Sequence, residues 1–192
     1  MSRAREQQIG RTMAADVNQQ IPLLDDPIVN AYVSTLGLRL AAVSERPELD
    51  YHFYVIDSPV ANAFALPGGY VYVTRGLIEQ TEDGAELAAV LAHEIGHVAA
   101  RDGVEKLERH LRTGSVVDLL YTLFLGGEPG IMRQNALEMA GVLWNARHSR
   151  EDEAQADRLA VRYLQRAGFD PHAMVDILQT LMQDEKNAGP DA

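Results

Sequence analysis

The chain has 192 residues and carries 28 Asp and Glu against 17 Lys and Arg, a formal net charge of −11 with neutral histidines. This length suits a single domain, and a hydrophobic fraction of 46% is enough for a sizeable core. The acidic balance argues against nucleic acid and anionic membrane surfaces as main partners. Because cysteine is absent from the sequence, any metal site must use histidine and carboxylate ligands.

The first part of the chain predicts two helices followed by three short strands. Residues 2–20 are polar and compatible with a helix, and a second helix begins near Pro27, which follows two aspartates. Residues 51–57 are aromatic and β-branched, as expected of a strand. Residues 62–66 and 70–73 predict a hairpin, because the Pro-Gly-Gly sequence between them suits a turn.

The next segment predicts a short helix over residues 74–80 and a long one over residues 84–100. The long helix is apolar over most of its circumference, which predicts burial at the centre of the domain. Asp83 can cap its first turn. Glu86, three residues later, is expected to be the reciprocal partner in a capping box.

The region 102–147 is less regular and predicts a lid-like excursion. Its apolar part, 116–125, would form a lid, a membrane-surface contact or a core helix, and the sequence leaves these alternatives open. The longest apolar run is about half of the roughly 18 residues that a transmembrane helix needs, and the first residues lack the apolar segment of a signal peptide. Two helices, 151–167 and 170–186, are predicted to follow.

One motif in the long central helix carries chemistry: His93-Glu94-Ile95-Gly96-His97. Residues four apart lie on the same face of a helix, so both imidazoles face one position and can bind the same metal ion. Glu94 lies one position round the helix, where it can take a proton from water beside that metal. The alternative is a buried helix that binds no metal, in which the histidines are hydrogen-bonded to backbone groups or carboxylates. Without such partners, each buried polar group would cost about 1–3 kcal/mol.

A catalytic zinc site needs a third protein ligand and an open position for water. Glu153 and Asp157 lie four residues apart in a predicted helix, so they share one face, which is bordered by Ala154 and Ala156. Small residues at this face allow two helices to approach closely, as two helices that share a metal ion must. The neighbouring acids are expected to be solvated: Glu151 and Asp152.

Three blocks of this sequence together resemble metallopeptidase family forty-eight, which holds HtpX-like, BepA-like, Oma-like and CAAX prenyl proteases. The blocks are the helix motif 93–97, the preceding strand segment 62–69 and the following acidic segment 149–157, and the resemblance covers about residues 57–170. It implies an α+β gluzincin fold, mostly helical, with a small β-sheet and a central active-site helix.

The resemblance implies one zinc ion per chain, with His93, His97 and Glu153 as its ligands and Glu94 as the general base. It also implies that Asp157 contacts a ligating histidine and not the zinc ion itself. A carboxylate there can accept the outer N–H of His93 and fix its tautomer. An ordinary surface role for Asp157 is the alternative.

The donor that stabilises the developing oxyanion stays open in the sequence. Arg150 lies one turn before Glu153 and is the first candidate, although it could instead orient Glu153 or cap a helix. His148, Tyr163 and His172 are further candidates. His148 is alternatively a reserve zinc ligand that blocks the water position, or a structural residue.

The strand residues Asn62, Ala63, Phe64 and Ala65 resemble the family's strand that borders the active-site cleft. Such an edge strand binds an extended peptide through main-chain hydrogen bonds and makes little demand on its sequence. The alternative is a hairpin that only covers the core.

We expect one zinc metallopeptidase domain over 1–192, with N-terminal helices in 1–48, strands and the active-site helix in 49–101, the excursion in 102–147 and the third ligand in 148–192. Its expected substrates are unfolded or misassembled polypeptides, and its expected location, by analogy with exported relatives, is the periplasm or cell envelope. Without membrane helices or helical repeats, it is similar to the minimal members of the family. The alternative is a zinc-containing binding or chaperone-like module with an occluded cleft.

Overall fold

A computed structural model describes residues 1–104 and 149–188 of the chain, with side chains up to residue 183. The described part is mostly helical and contains one three-stranded sheet, as expected of an α+β domain. The predicted excursion lies outside the described residues from 105 onwards, as does His148. The bounded elements are α1 (Arg3–Gln20), α2 (Pro27–Ala41), β1 (His52–Ile56), β2 (Ala63–Leu66), β3 (Tyr70–Thr74), α3 (Arg75–Gln80), α4 (Gly84–Ala100), α5 (Arg150–Ala167) and α6 (Ala173–Ala188).

At the start of α4, Asp83 caps the helix as predicted, but Glu86 does not make the predicted reciprocal bond. Oδ1 of Asp83 accepts hydrogen bonds from the backbone N–H groups of Ala85 and Glu86, at 2.8 and 3.0 Å. The carboxylate of Glu86 instead accepts the N–H of Glu82, at 2.7 Å. The predicted reciprocal bond to Asp83 is therefore wrong, because Glu86 reaches one residue further back along the chain.

The last two helices also begin differently from the prediction. Ser149 caps α5 in a capping box with Asp152, whose carboxylate accepts the Ser149 N–H at 2.9 Å, so Asp152 has a structural partner. The final helix begins at Ala173 rather than at residue 170. Asp170 accepts the N–H of His172 and closes a separate turn before the helix starts.

The sheet has the strand order β1-β3-β2, so β3 is central and β2 is an edge strand. β1 is parallel to β3, and β2 is antiparallel to it, which confirms the predicted hairpin. The turn uses Gly68 and Gly69 at φ 84° and 101°, a region of backbone space that favours glycine. The central strand is buried along its whole length.

The sheet separates two packed layers. On one face, α1 covers an aromatic stack in which the ring of Tyr72 lies 4.9 Å from that of Tyr54 and 4.7 Å from that of Phe64. On the other face, α2, α4, α5 and α6 form the larger core, and Leu91 and Ile95 of α4 are fully buried within it. The helix predicted to be central therefore is central. Within the described ranges, the helices are too short or too polar to cross a membrane.

Candidate metal centre

The site is built where α4 and α5 approach each other closely. A Cβ atom placed on Gly96 would lie 3.0 Å from the backbone oxygen of Ala156 and 3.1 Å from its Cα, so the glycine allows the two backbones to meet. Ala156 is fully buried at this contact, whereas Ala154 is exposed. Only one of the two predicted small neighbours therefore lies in the helix contact.

Three side chains converge at this contact and could hold a metal ion: His93, His97 and Glu153. The two Nε2 atoms are 3.1 Å apart, and the Glu153 carboxylate oxygens lie 3.3 Å from Nε2 of His93 and 3.7 Å from Nε2 of His97. Ligands at about 2.0–2.1 Å from a tetrahedral zinc ion are about 3.3–3.4 Å from one another. The observed separations bracket this value, so the three groups fit zinc.

The outer nitrogen of His93 faces a carboxylate. Oδ1 of Asp157, one turn beyond Glu153 on α5, lies 3.0 Å from Nδ1 of His93. Burial acts to lower the pKa of His93, but Asp157 and Glu153 outweigh it and raise the pKa to about 10. In the metal-free protein this imidazole therefore carries a proton, which a metal ion would displace.

The outer nitrogen of His97 also faces a carboxylate, one that the sequence analysis missed. Oδ2 of Asp102 lies 2.7 Å from Nδ1 of His97, and only 6% of His97 and 7% of Asp102 are exposed. This contact favours the proton on Nδ1 and leaves the Nε2 lone pair facing Glu153. Helical spacing does not predict the contact, because Asp102 follows the end of α4. The available signal was an acid two residues after the end of the histidine helix.

Glu94 lies on α4 beside the three converging groups and is half-buried. Burial raises the pKa of its carboxyl group, and the nearby His97 and His93 act in the opposite direction. A raised pKa suits a group that must accept and release a proton near neutral pH.

The remaining candidates for an oxyanion donor are dispersed. Arg150 is exposed at the first position of α5, three residues before Glu153. Tyr163 lies about 15 Å beyond Glu153 along the same helix, and it donates its hydroxyl hydrogen to Glu45. His172 is exposed and contacts Asp170 in the turn before α6. The structure therefore does not bring Tyr163 or His172 to the site.

The predicted substrate strand divides into two kinds of residue. Asn62 precedes β2 and is buried, with its backbone N–H and C=O both bonded to Thr74. The Phe64 ring packs under α1, away from the metal centre. Ala63 and Ala65 are half-buried on the opposite face, toward the core that contains α4.

Comparison with known proteins agrees with this architecture. The sequence matches peptidase family M48 over residues 27–189. It is 33% identical over 190 residues to the beta-barrel assembly-enhancing protease of Yersinia pestis, covering 95% of this chain and 38% of that protein. The same-named protein of Escherichia coli K12 is 31% identical over 193 residues, covering 97% and 39%.

A mitochondrial relative also matches. The mitochondrial metalloendopeptidase OMA1 of Schizosaccharomyces pombe is 34% identical over 159 residues, covering 82% of this chain and 45% of that protein. The chain thus spans less than half the length of these three relatives. With the family match extending over most of its residues, the chain belongs to peptidase family M48.

Proposed function

We propose that this chain is a zinc metalloendopeptidase domain of gluzincin type that hydrolyses peptide bonds in unfolded or misassembled proteins. The observation that carries the proposal is the convergence of two imidazoles and one carboxylate from two helices in contact, with their nearest nitrogen and oxygen atoms 3.1–3.7 Å apart. The relatives support it, since they are named a beta-barrel assembly-enhancing protease and a mitochondrial metalloendopeptidase.

The proposed division of roles follows from the positions of the side chains. His93, His97 and Glu153 hold the ion, which when bound supplies a Lewis acid that polarises the scissile carbonyl and acidifies water. Glu94 takes the proton from the attacking water and passes it to the nitrogen of the departing amine. Asp157 and Asp102 accept the outer N–H groups of the two histidines and fix their orientation.

Peptide substrate is proposed to lie along the outer edge of β2, the edge that pairs with no other strand among the described residues. The backbone of Asn62 is bonded to Thr74, and bonded pairs alternate along an antiparallel ladder, so Phe64 and Leu66 also bond β3. The N–H and C=O groups of Ala63 and Ala65 therefore point away from β3. In this proposal they bond an extended polypeptide of almost any sequence.

The proposal also includes an oxyanion group and a cellular location. Arg150 shares a helix face with Glu153 and is the proposed oxyanion or positioning group, since a guanidinium there can approach a developing negative charge. The relatives named for beta-barrel assembly favour the periplasm or cell envelope as the location.

The proposal is tested with purified protein and an unfolded substrate such as casein. We expect about one zinc per chain by elemental analysis and cleavage that a chelator abolishes. Glu94→Gln should retain zinc yet lose most activity, because it removes the proton carrier and none of the ligands. Wild-type protein that is fully loaded with zinc and cuts nothing would support the binding-module alternative; protein that binds no zinc would contradict both.

A further inference from the structure

A buried carboxylate of α1 gathers two arginines from distant parts of the chain. Glu6 is only 1% exposed, and Arg46, in the loop after α2, binds both of its oxygens at 2.7 and 3.1 Å. Nη2 of Arg101, directly after α4, lies 3.1 Å from the same carboxylate. A buried carboxylate is stable only when it is paired in this way.

Both arginines also bind the end of the helix that carries the two histidines. Nη1 of Arg46 donates to the backbone oxygen of Val98, in the last turn of α4, at 3.2 Å. Arg101 caps α4 in the left-handed conformation, at φ 66° and ψ 29°, and its side chain also donates to the backbone oxygen of Met1 at 2.8 Å. The N-terminal segment is thus fastened to the end of α4.

The conformation of Arg101 decides where the next side chain lies. A left-handed residue is uncommon for any amino acid other than glycine and asparagine, so contacts of its side chain help to hold it. Here the turn directs Asp102 back onto Nδ1 of His97, at 2.7 Å. The contacts form one continuous series from Glu6 through Arg101 and Asp102 to His97.

We propose that Glu6 is a positioning residue of the metal centre, acting through Arg101 to hold Asp102 against His97. The inference rests on the proposed zinc site and extends it to α1, which lies before the residues that match the family, 27–189. Docking of α1 is then a condition for tight zinc binding, although α1 supplies no ligand.

Arg101→Gly is the most informative variant. Glycine permits the left-handed conformation without strain but also adopts many others, so the cap of α4 can still form while the side-chain link that holds the turn and Asp102 in place is lost; Arg46 still pairs with Glu6. We expect zinc affinity, measured by competition with a chromophoric chelator, to fall about 3- to 30-fold. A cap without any positioning role would leave the affinity unchanged.

A double-mutant cycle tests the route. Asp102→Asn alone should weaken zinc binding about 10- to 100-fold, the usual effect of losing a carboxylate behind a ligating histidine. Combining it with Arg101→Gly should cause little further loss, because both changes remove the same support. Fully additive losses would overturn the proposed route.

Glu6→Gln is the second variant, with Glu45→Gln as its matched control. Glu45 is also a carboxylate that binds arginines from another segment, Arg162 and Arg166, which follow Glu153 on α5 by nine and thirteen residues, about 14 Å or more. Both variants should lower the thermal unfolding midpoint of the metal-free protein, and only Glu6→Gln should weaken zinc affinity.

The outcomes separate the two proposals. Wild-type affinity in Arg101→Gly and Glu6→Gln, or an equal loss in Glu45→Gln, would overturn the role of Glu6 and leave the zinc site intact. Failure of the wild-type protein itself to bind zinc would instead overturn the proposed function.

Discussion

Each histidine of the candidate metal centre has a carboxylate oxygen within 3.0 Å of its outer nitrogen, but the two carboxylates come from different kinds of local structure. Asp157 faces His93 from the neighbouring helix, four residues after Glu153. Asp102 reaches His97 from the turn at the end of the same helix. The first contact follows from helical spacing only once the two helices have met, and the second depends on a single left-handed residue.

At this scale we predict that Asp157→Asn weakens zinc binding about 10- to 100-fold, because a neutral amide orients His93 less firmly than a carboxylate does. The measurement is zinc affinity by chelator competition. Glu151→Gln, an exposed acid in the first turn of the same helix, is the control and should bind zinc like the wild type. Equal zinc affinity in both variants would show that Asp157 is an ordinary surface residue.

Gly96 gives a second prediction for a single residue. A Cβ there would lie 3.0 Å from the Ala156 oxygen, so Gly96→Ala should push α5 outward by a few tenths of an ångström and displace Glu153 from the histidines. We expect peptidase activity to fall about 10-fold even though alanine favours helix formation. Ala154→Ser, at an exposed position of α5, should retain activity. Full activity in Gly96→Ala would show that the helix contact tolerates the methyl group.

At the scale of elements, α5 is fixed near its end by the loop that follows α2. Glu45 of this loop accepts the hydroxyl hydrogen of Tyr163 and a hydrogen bond from Arg162 at 3.0 Å. Partial burial acts to raise the pKa of Glu45, but these hydrogen bonds outweigh it and lower the pKa below its ordinary value. Ionised Glu45 therefore stabilises the fold at the far end of α5, about 15 Å along the helix from Glu153.

The lowered pKa sets the pH range of this effect. A carboxylate whose folded pKa is depressed stabilises the protein above its unfolded pKa, and the contribution is lost as the pH falls through the folded pKa. We predict that Glu45→Gln lowers the free energy of unfolding by about 1 kcal/mol at pH 7, with a difference that shrinks below about pH 4.5. Urea unfolding across this range measures it, with the exposed Glu48→Gln as control. A difference independent of pH would exclude the ionic contribution.

The edge strand gives a prediction about substrate. Ala65→Pro removes a backbone N–H that points away from β3, and edge strands tolerate proline at such positions. We expect kcat/KM for an unfolded peptide to fall about 3- to 10-fold through loss of one main-chain hydrogen bond. Ala65→Ser retains the N–H and should behave like the wild type. Unchanged kinetics in the proline variant would place the substrate elsewhere.

At the scale of the whole molecule, folding and metal binding are coupled, because the unfolded chain does not hold the three ligands together. Zinc at about 100 times its dissociation constant should stabilise the protein by about 2.7 kcal/mol. For a domain of this size the thermal midpoint should rise by about 5–10 °C. His97→Ala should show little response. An equal rise in wild type and variant would indicate zinc binding outside the proposed site.

Much of the fold was predictable because local patterns determine it. Apolar periodicity predicted the central helix, β-branched residues and the Pro-Gly-Gly turn predicted the hairpin, and Asp26 and Asp83 predicted the helix starts. The predictions of helix starts were wrong where several hydrogen-bond partners lie close together in the sequence. Glu86 bonds Glu82 instead of Asp83, and Asp170 closes a turn before α6 begins.

The sequence by itself determined the kinds of ligand and their grouping, since spacing of four on a helix places His93 beside His97 and Glu153 beside Asp157. Only the tertiary structure decided that the two pairs meet, because the contact depends on how closely Gly96 and Ala156 pack. Only the tertiary structure paired Glu6 with Arg101, 95 residues further along the chain and next to the Asp102 that contacts His97. Residues four apart share a helix face because the helix has 3.6 residues per turn, whereas contacts between distant segments depend on packing and charge pairing in the folded chain.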